Sequence, residues 1–424
     1  MKTHPIIAII GGTIWGNRGA EAMLVSTIGR IRQDFPDAEF NVFSYYPDQD
    51  RNLISDPNIH IHNATPLSLV FNHFLGALIR RLYTFLRIEA CALRCLTIAN
   101  TIEESDLLLD IGGITFSDGR EKFLPFNILT IWPAMILGTP VVKLAQAVGP
   151  FEHTINRALA RYFLTRCKQV FVRGESSACH ITRLNLPPNI TSPAVDIAFL
   201  YQPAFSLSAE NTSRVSTVLE RIRQEKGNGK KIVIISPSIL IDRKLAKDSI
   251  DYTGMLLSTV SQLDTNRCFF VFMPNATREG SLKHHNNDIL IIDRIRQRFE
   301  NSLDLSLQSA AVFINFDINT STIRSLIDQA DLLITSRYHA MISGLALAIP
   351  TIVIGWGHKY QETMMAFGQS QYVLNTSQTE FDLAGLAIHA LDHSAQIRKE
   401  LQRHLPDITQ LAEKQFSNIR QYLK

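Results

Sequence analysis

The sequence predicts an α/β protein with two Rossmann-like domains that face a cleft. Short apolar runs alternate with longer amphipathic stretches along most of the 424 residues. Such alternation is typical of βαβ units and a parallel sheet. The length suits two or three domains of ordinary size. A polar stretch at 203–213 interrupts the alternation, and a new strand–helix series begins at Lys231.

The apolar runs predict the strands, and the amphipathic stretches between them predict the helices. The predicted strands are Ile6–Ile10, Phe40–Ser44, Leu107–Ile111, Val141–Ala145, Val170–Arg173, Ile232–Ser236, Phe269–Met273, Val312–Asn315, Leu332–Thr335 and Thr351–Ile354. The predicted helices include Ala20–Arg32, Ala158–Cys167, Ser176–Leu184, Ser213–Glu225, Asn287–Glu300 and Thr322–Ala330.

The interruption predicts a domain boundary near residue 205. Residues 1–205 are expected to form an N-terminal Rossmann-like domain, residues 206–382 a C-terminal Rossmann-like domain, and residues 383–424 a set of C-terminal helices. Two successive parallel α/β halves give the layout of B-type glycosyltransferases, in which ligands lie between the two domains. In open α/β sheets, ligands bind beyond the carboxyl ends of the strands.

Composition excludes several classes of protein. Hydrophobic residues make up 46% and charged residues 19%, which excludes disorder on the scale of a whole domain. The formal net charge of +3 gives no indication of a nucleic-acid partner. The cysteines are scattered and odd in number, so they predict buried free thiols and a reducing cytoplasm. They are Cys91, Cys95, Cys167, Cys179 and Cys268.

The first glycine-rich loop, residues 11–21, follows a predicted strand and opens a predicted helix. Backbone N–H groups at such a helix start can hold an anion. The dinucleotide-binding pattern is absent, and Asn17-Arg18 stands where a phosphate-binding loop requires Lys-Ser/Thr. Neither NAD nor ATP is therefore indicated, and a plain strand–helix turn is the favoured interpretation from this loop alone.

The second glycine-rich loop also follows an apolar strand. Gly112 and Gly113 allow the backbone to approach a ligand closely. Asp110 and Asp118 flank them and are candidates to contact ligand hydroxyls or to act as a base. Aspartate is also common in turns, so a structural role is the alternative for each.

Cationic side chains follow several predicted strands. Arg173 ends one strand, and its planar fork matches a carboxylate or a phosphate, although a surface salt bridge is the alternative. Arg337 and His339 lie at a predicted helix start, where an anion is favoured and a histidine can act as an acid or a base near neutral pH. Lys359 follows the next strand. These cations suit a ligand that carries phosphate and carboxylate.

In their order along the chain, these elements resemble the polysaccharide pyruvyl transferase family. The resemblance spans roughly residues 6–367 and rests on several short motifs. They are Asn17-Arg18-Gly19-Ala20-Glu21-Ala22, Gly112-Gly113, Gln146-Ala147-Val148-Gly149-Pro150, Arg173 with Ser177, Asp196-Ile197-Ala198-Phe199, and Ser336-Arg337-Tyr338-His339-Ala340 with Pro350 and Lys359.

The resemblance implies a B-type glycosyltransferase-like fold and phosphoenolpyruvate as the donor. It places Arg337 and His339 at the phosphoenolpyruvate site, with Arg173 and Lys359 as helpers. Two positions depart from the family pattern. Gly174 stands where the family often has an acid, and Ile197 stands where it has proline.

The function that the resemblance implies is transfer of a pyruvyl group from phosphoenolpyruvate to sugar hydroxyls of a polysaccharide or lipid-linked glycan, with formation of a pyruvate ketal. The C-terminal domain is expected to bind the donor and the N-terminal domain the acceptor. His339 is the expected catalytic residue. The expected substrate-binding residues are Arg337, Arg173, Lys359, Asn17, Glu21, Gly112, Gly113 and Asp118.

The general base remains open among Asp110, Asp118 and Glu21. No cofactor or metal is expected, since no His/Asp/Glu cluster has convincing ligand spacing. His60 and His62, like the pair His284-His285, are expected to be exposed polar residues.

Two other functions are compatible with the predicted fold. One is a nucleotide-sugar-dependent glycosyltransferase in which Glu362 grips the ribose. The other is a non-catalytic scaffold of polysaccharide assembly. The retained Arg173, Arg337, His339 and Lys359 argue against the scaffold, because an inactive site does not need converging cations.

One segment, Leu67 to Ala99, is rich in apolar residues interspersed with Arg80, Arg81, Arg87 and Arg94. One interpretation is a pair of helices packed on the first domain, as most apolar helices are. The other is an interfacial patch at the inner face of the membrane, close to a lipid-linked acceptor.

Overall fold

Branched and aromatic apolar runs form parallel strands that group into two sheets. The computed structural model describes residues 4–87, 96–205, 207, 211–278, 286–301, 308–355, 357–375 and 382–423. Within these residues, one sheet has seven strands and the other has six. All the strand pairs in both sheets are parallel.

The first sheet has the strand order β3-β2-β1-β4-β5-β6-β7. Its strands are β1 Ile6–Ile10, β2 Glu39–Ser44, β3 Ile59–Asn63, β4 Leu107–Asp110, β5 Val141–Gln146, β6 Gln169–Arg173 and β7 Thr191–Ala194. Its helices include Arg18–Asp34, Pro47–Leu53, Pro66–Ser68, a π-helix at Leu69–Leu75, Gly76–Phe85, Thr97–Glu104, Leu124–Leu129, Trp132–Leu137, Thr154–Leu164 and Glu175–Thr182.

The second sheet has the strand order β10-β9-β8-β11-β12-β13. Its strands are β8 Lys231–Ser236, β9 Cys268–Phe272, β10 Ala311–Phe313, β11 Leu332–Thr335, β12 Thr351–Gly355 and β13 Val373–Asn375. The helices of this part and the C-terminal helices include Thr212–Gly227, Ile239–Lys247, Tyr252–Gln262, Ile289–Glu300, Thr320–Ile327, Tyr338–Ala346, His358–Ala366, Leu383–Asp392, Ser394–Glu413 and Ile419–Tyr422.

The central strands of each sheet are buried on both faces. β4 and β5 are buried along their whole length in the first sheet, as are β9 and β11 in the second. Strands buried on both faces appear in sequence as continuous apolar runs, and for that reason the alternation of runs and amphipathic stretches predicts them well.

Strands β3, β7 and β13 were not predicted from the sequence. Each is at the edge of its sheet, and each contains residues that are at least partly exposed. An edge strand needs little apolar sequence, so it lacks the signal that marks the central strands. The prediction that His62 is an exposed polar residue was also wrong, because the strand that carries it was not recognised. His62 lies on β3, is half-buried, and its Nε2 is 2.8 Å from Oδ1 of Asn41.

The chain divides into two compact units. Met1–Trp15, Ala20–Ser208 and Thr409–Lys424 form the first unit, and Gly16–Gly19 with Ala209–Ile408 form the second. The segment 383–424, which the sequence analysis grouped as C-terminal helices, is therefore divided between the units. Its last part joins the first unit through Gln415, which accepts from the backbone amide of Ala145 at 2.9 Å and donates to the carbonyl of Val195 at 2.9 Å.

The cysteines that the structure describes differ in exposure. Cys167 and Cys268 are buried free thiols, and Cys179 is exposed, which corrects the expectation for that residue. Burial raises the pKa of Cys167 to about 12 and that of Cys268 to about 11, so both thiols are inert at neutral pH. Cys91 and Cys95 lie outside the described residues, as do His284 and His285.

Acid is expected to destabilise the first unit through His73. This side chain is 1% exposed, and its Nε2 lies 2.9 Å from the carbonyl oxygen of Asn63. Burial lowers the pKa of His73 to about 4. Between about pH 6.5 and 4 the unfolded chain therefore binds more protons, and stability falls as the pH falls through this window, by about 2 kcal/mol at pH 5.

Denaturant unfolding at pH 7 and pH 5 measures this loss. His73→Gln keeps a donor for the Asn63 carbonyl but does not titrate, so its stability is expected to depend less on pH. His60→Gln, at an exposed histidine of β3, is the matched control. An unchanged pH dependence in His73→Gln would exclude His73 as the cause.

Candidate functional site

The segment that follows β11 in the second unit is fixed by two buried tyrosines. The hydroxyl of Tyr252 lies 2.6 Å from Oγ of Ser336, and the hydroxyl of Tyr360 donates to the Ser336 carbonyl at 3.2 Å. The backbone amide of Arg337 donates to Oγ1 of Thr335 at 2.9 Å. Burial raises the pKa of Tyr360 to about 12, so its hydroxyl stays protonated and remains a donor.

Arg337 is the N-cap residue of the helix Tyr338–Ala346, and its side chain is 11% exposed. Its Nη1 donates to Oδ1 of Asn286 at 2.8 Å, and its Nη2 pairs with the carboxylate of Asp288. Among the described residues, the buried Nε of Arg337 has no hydrogen-bond partner. The guanidinium is thus held in place at a helix start, and its Nε can still donate a hydrogen bond.

Asp288 joins the loops at the carboxyl edge of the second sheet. It is fully buried and accepts from the backbone amides of Ile239 at 3.2 Å, Asn275 at 3.2 Å and Ala276 at 2.9 Å. These residues follow β8 and β9, and Arg337 follows β11. One carboxylate therefore sets the position of the guanidinium relative to both neighbouring loops.

His339 packs directly on Gly19. A Cβ built on Gly19 would overlap the His339 imidazole at Nδ1, so the ring occupies the space that a side chain would need. Asn17 accepts from the Gly19 amide at 3.1 Å and caps the helix Arg18–Asp34. Arg18 is held by Asp317 at 2.9 Å. Gly16–Gly19 belong to the second unit, so the contact between Gly19 and the candidate catalytic histidine lies within that unit.

Tyr338 contacts both His339 and Lys359. The ring of Tyr338 lies edge-on to the His339 ring, with the centroids 5.3 Å apart. The Nζ atom of Lys359 lies over the Tyr338 ring, 4.4 Å from its centroid. His339 and Lys359 thus both contact Tyr338, and Arg337 directly precedes Tyr338 at the helix start.

Arg173 is placed differently, in the first unit. It is 8% exposed at the end of β6, where it pairs with the buried carboxylate of Asp196 and donates to the Gly113 carbonyl at 3.2 Å. Asp196 also accepts from the Ala198 amide at 3.0 Å. The structure thus groups Arg173 with Gly113, and the guanidinium connects the second glycine-rich loop to the segment after β7.

Asp110 is part of a buried ion pair. Its carboxylate pairs with Lys143, which is fully buried on β5, and it accepts from the Gly112 amide at 2.9 Å. A Cβ on Gly11 would approach the Gly112 amide nitrogen to 2.5 Å, so the two glycine-rich loops touch at the ends of β1 and β4. These contacts give Asp110 a structural role.

Asp118 organises the start of the helix Thr154–Leu164. It accepts from the amides of Glu152 at 2.6 Å and His153 at 3.2 Å, and from the side chain of Asn156 at 2.6 Å. Partial burial alone would raise the pKa of Asp118, but these hydrogen bonds lower it below its usual range. A carboxylate with a lowered pKa is a weak base.

The structure also brings Asp118 close to Glu121 and His153. One ligand-type atom of each lies within 4.8 Å of the others, and sequence spacing did not single out this cluster. His153 Nδ1 lies 2.6 Å from Glu121 Oε1, and both side chains are exposed. Their mutual hydrogen bonds account for the cluster, so we assign it no metal. Glu21, the third candidate base, is fully buried in the first turn of the helix Arg18–Asp34.

The model of the polysaccharide pyruvyl transferase family matches residues 17–358. The chain belongs to the polysaccharide pyruvyl transferase family. The match includes Asn17, Gly112, Arg173 and His339, and it ends one residue before Lys359. This polysaccharide pyruvyl transferase is therefore an enzyme of the transferase class, as the sequence predicts.

The two-sheet architecture of this pyruvyl transferase is similar to that of several solved UDP-sugar proteins. Anabaena HepE in complex with UDP-glucose is 13% identical with a TM-score of 0.55, covering 99% of this chain and 100% of its own. The UDP-GlcNAc 2-epimerase of Neisseria meningitidis is 11% identical with a TM-score of 0.57, covering 98% and 100%. MnaA of S. aureus with UDP is 11% identical with a TM-score of 0.56, covering 99% and 96%. The predicted B-type glycosyltransferase-like fold is confirmed.

The buried acids that hold these loops were not predicted from the sequence. Asp288 was not singled out, and Asp196 was noted only as part of a motif. Asp50 was also missed, although it accepts from the amides of Ile14 and Trp15 at 3.1 and 2.7 Å and thereby holds the first glycine-rich loop. The only signal for each is a lone aspartate outside the strands, which also marks ordinary turns and helix starts.

Gly19→Ala is expected to destabilise the protein through His339. Helix propensity alone favours alanine by about 1 kcal/mol, but the added Cβ overlaps the imidazole. Displacing the ring is expected to cost about 1–3 kcal/mol, as in other overpacked sites. Thermal and denaturant unfolding measure the net change.

The double variant Gly19→Ala/His339→Ala is expected to recover the loss, because the smaller side chain leaves room for the Cβ. Gly227→Ala is the matched control, since Gly227 is also helical and has open space around its Cβ position. Equal stability of Gly19→Ala and Gly227→Ala would contradict the contact.

Proposed function

We propose that this enzyme transfers the pyruvyl group of phosphoenolpyruvate to sugar hydroxyls of a polysaccharide or lipid-linked glycan and forms a pyruvate ketal. The observation that carries the proposal is the placement of Arg337 and His339 at one helix start, with Lys359 over the ring of the intervening Tyr338, in a member of this family. No cofactor is part of the proposal, because phosphoenolpyruvate itself supplies the reactive group.

Donor recognition is assigned to the second unit. Phosphoenolpyruvate carries a phosphate and a carboxylate, and Arg337 offers a charged donor at a helix start where anions are favoured. Lys359 adds a second cation. Arg173 enters the proposal as a positioning residue, because it lies in the first unit, where its guanidinium joins Asp196 to the Gly113 carbonyl.

The chemistry requires a proton at the methylene carbon of the donor. Protonation of this carbon creates cationic character at the central carbon, to which a sugar hydroxyl adds as it loses its proton. The bond between the central carbon and the bridging phosphate oxygen then breaks and phosphate leaves. A second hydroxyl adds to the same carbon and loses its proton, which closes the cyclic ketal. His339 is assigned as the proton donor, since imidazole is suited to acid–base work near neutral pH.

The alternative is a transferase that uses a nucleotide sugar. The solved structures similar in fold hold UDP or UDP-sugars, and Glu362 lies half-buried on the helix His358–Ala366 as a candidate ribose ligand. At 11–13% identity this similarity concerns the fold alone, and the family match favours the pyruvyl donor.

Incubation with phosphoenolpyruvate and candidate polymeric or lipid-linked glycans tests the proposal. Release of phosphate together with added pyruvate mass on the glycan is the expected result. Thermal-shift titrations separate the donors: stabilisation by phosphoenolpyruvate, with none by UDP or UDP-glucose, is expected. Stabilisation by UDP-glucose alone would favour the glycosyltransferase.

Arg337→Ala is expected to weaken phosphoenolpyruvate binding. Loss of a charge-assisted hydrogen bond to a partly buried anion costs about 1.5–3 kcal/mol, which corresponds to roughly 10- to 150-fold in affinity. The measurement is the donor-induced thermal shift of each variant relative to its own ligand-free midpoint, because the loss of the Asp288 pair also lowers stability. Arg298→Ala removes an exposed Arg–Asp pair of the same unit and is the control. Equal donor affinity in the two variants would reject the assignment.

His339→Ala is expected to lower kcat by about 10²–10⁴-fold with a much smaller change in donor affinity, since a proton donor acts mainly in the transition state. His339→Gln keeps a hydrogen-bonding side chain but cannot supply a proton at neutral pH. If the Gln variant keeps most of the rate, His339 is an electrophilic or positioning contact. If both variants lose only donor affinity, His339 belongs with Arg337 as a binding residue.

A further inference from the structure

The helical segment 66–87 of the first unit exposes an unusual number of large apolar side chains. Phe85 is 82% exposed, Leu67 is 73% exposed and Phe71 is 60% exposed. We call the exposed apolar residues of this segment the outer apolar face. They are Leu67, Val70, Phe71, Leu75, Leu78, Ile79, Leu82, Phe85 and Leu86.

The outer apolar face is continuous along the segment. Its members recur at intervals of three or four residues through the helical stretch Pro66–Phe85, so they lie along one side. The opposite side packs on the core of the first unit through Leu69, His73 and Ala77, which are at most 1% exposed. A surface helix normally turns charged or polar residues toward solvent, whereas this one is apolar on both sides.

The charge of the segment has one sign. The sequence from Pro57 to Ile88 contains no Asp or Glu, and it carries Arg80, Arg81 and Arg87. Arg80 is paired with Glu103 at 2.5 Å, whereas the side chains of Arg81 and Arg87 are exposed beside the outer apolar face. Basic side chains next to an exposed apolar stripe are typical of helices that lie in a membrane interface.

We propose that the outer apolar face binds the surface of an anionic lipid bilayer, with Arg81 and Arg87 at the phosphate headgroups. None of the helices among the described residues is both long and apolar enough to span a membrane, so the segment lies in the plane of the interface. A second copy of the chain is a poorer partner, because a two-fold contact through this face brings like charges together without an acid in the segment to pair them.

This inference does not rest on the proposed function, although the two fit together. An enzyme held at a lipid surface meets a lipid-linked glycan in two dimensions, which raises the effective acceptor concentration. Membrane binding is measured without donor or acceptor, so its failure leaves the proposed transfer reaction intact, and failure of the transfer reaction leaves the membrane surface intact.

Vesicle flotation of the full chain tests the proposal with phosphatidylcholine vesicles and with vesicles that also contain phosphatidylglycerol. Binding is expected to require the anionic lipid and to weaken with salt. Arg81→Gln/Arg87→Gln is expected to reduce the partition coefficient by about fivefold per arginine. Arg157→Gln/Arg161→Gln, on the exposed side of the helix Thr154–Leu164, is the charge-matched control.

The apolar contribution is tested by Phe71→Ser/Leu82→Ser/Phe85→Ser. These side chains are 60%, 54% and 82% exposed, so the variant is expected to fold with an unchanged unfolding midpoint. Its partition coefficient is expected to fall by about tenfold or more. Ile155→Ser is the control, at an isoleucine of the same unit that is 72% exposed.

Two results would overturn the proposal. The first is flotation that is equal in wild type, the arginine variant and the serine variant. The second is an absence of flotation together with a concentration-dependent dimer, seen by light scattering, that the serine variant loses. That result would assign the outer apolar face to a second copy of the chain.

Discussion

The second unit depends on a buried carboxylate at the carboxyl edge of its sheet. Asp288 is removed from water, and its oxygens accept from backbone amides that follow β8 and β9 and from the guanidinium that follows β11. Removing one partner of such a buried pair costs about 3–5 kcal/mol, because the other charge stays buried and uncompensated. Arg337 can therefore bind a ligand only if Asp288 is present to hold these loops and the guanidinium in position.

The first unit also contains an arginine that pairs with a buried aspartate at the end of a strand. Arg173 ends β6 as Arg337 follows β11, and each pairs with a buried aspartate from another segment of its own unit. The outcome differs in detail. Arg173 connects Asp196 with the Gly113 carbonyl, and its chief effect is to join two loops. Arg337 pairs with Asp288 and Asn286 at the start of the helix that also carries His339, where a cation held in place is useful for an anionic substrate.

Much of the fold and part of the candidate site could be predicted from the sequence. Central strands such as β4 and β11 are buried on both faces, and they therefore appear in the sequence as continuous apolar runs. The edge strand β3 leaves no such run, because His60 and His62 alternate with isoleucines there. Arg337 and His339 were found because they sit just after a strand and open a helix.

The long-range partners of those residues could not be predicted. Asp288 and Arg337 are 49 residues apart, and nothing in the local sequence of either specifies the other. The same holds for Gly19 and His339, whose contact is visible only once an added Cβ is found to overlap the imidazole. Local patterns specify elements and their ends, whereas the pairing of side chains between elements depends on tertiary packing.

The π-helix Leu69–Leu75 has a consequence for the whole segment around it. A π-helix contains an extra residue relative to an α-helix of the same length, and each residue of an α-helix advances the side-chain direction by about 100°. This stretch therefore sets the rotational phase of the helix Gly76–Phe85 that follows. If the same residues were wound as an α-helix instead, Ala77 would turn away from the core, and Leu78 and Leu82 would change direction with it. The π-helix therefore keeps the small residues of the following helix facing the core and its leucines facing outward.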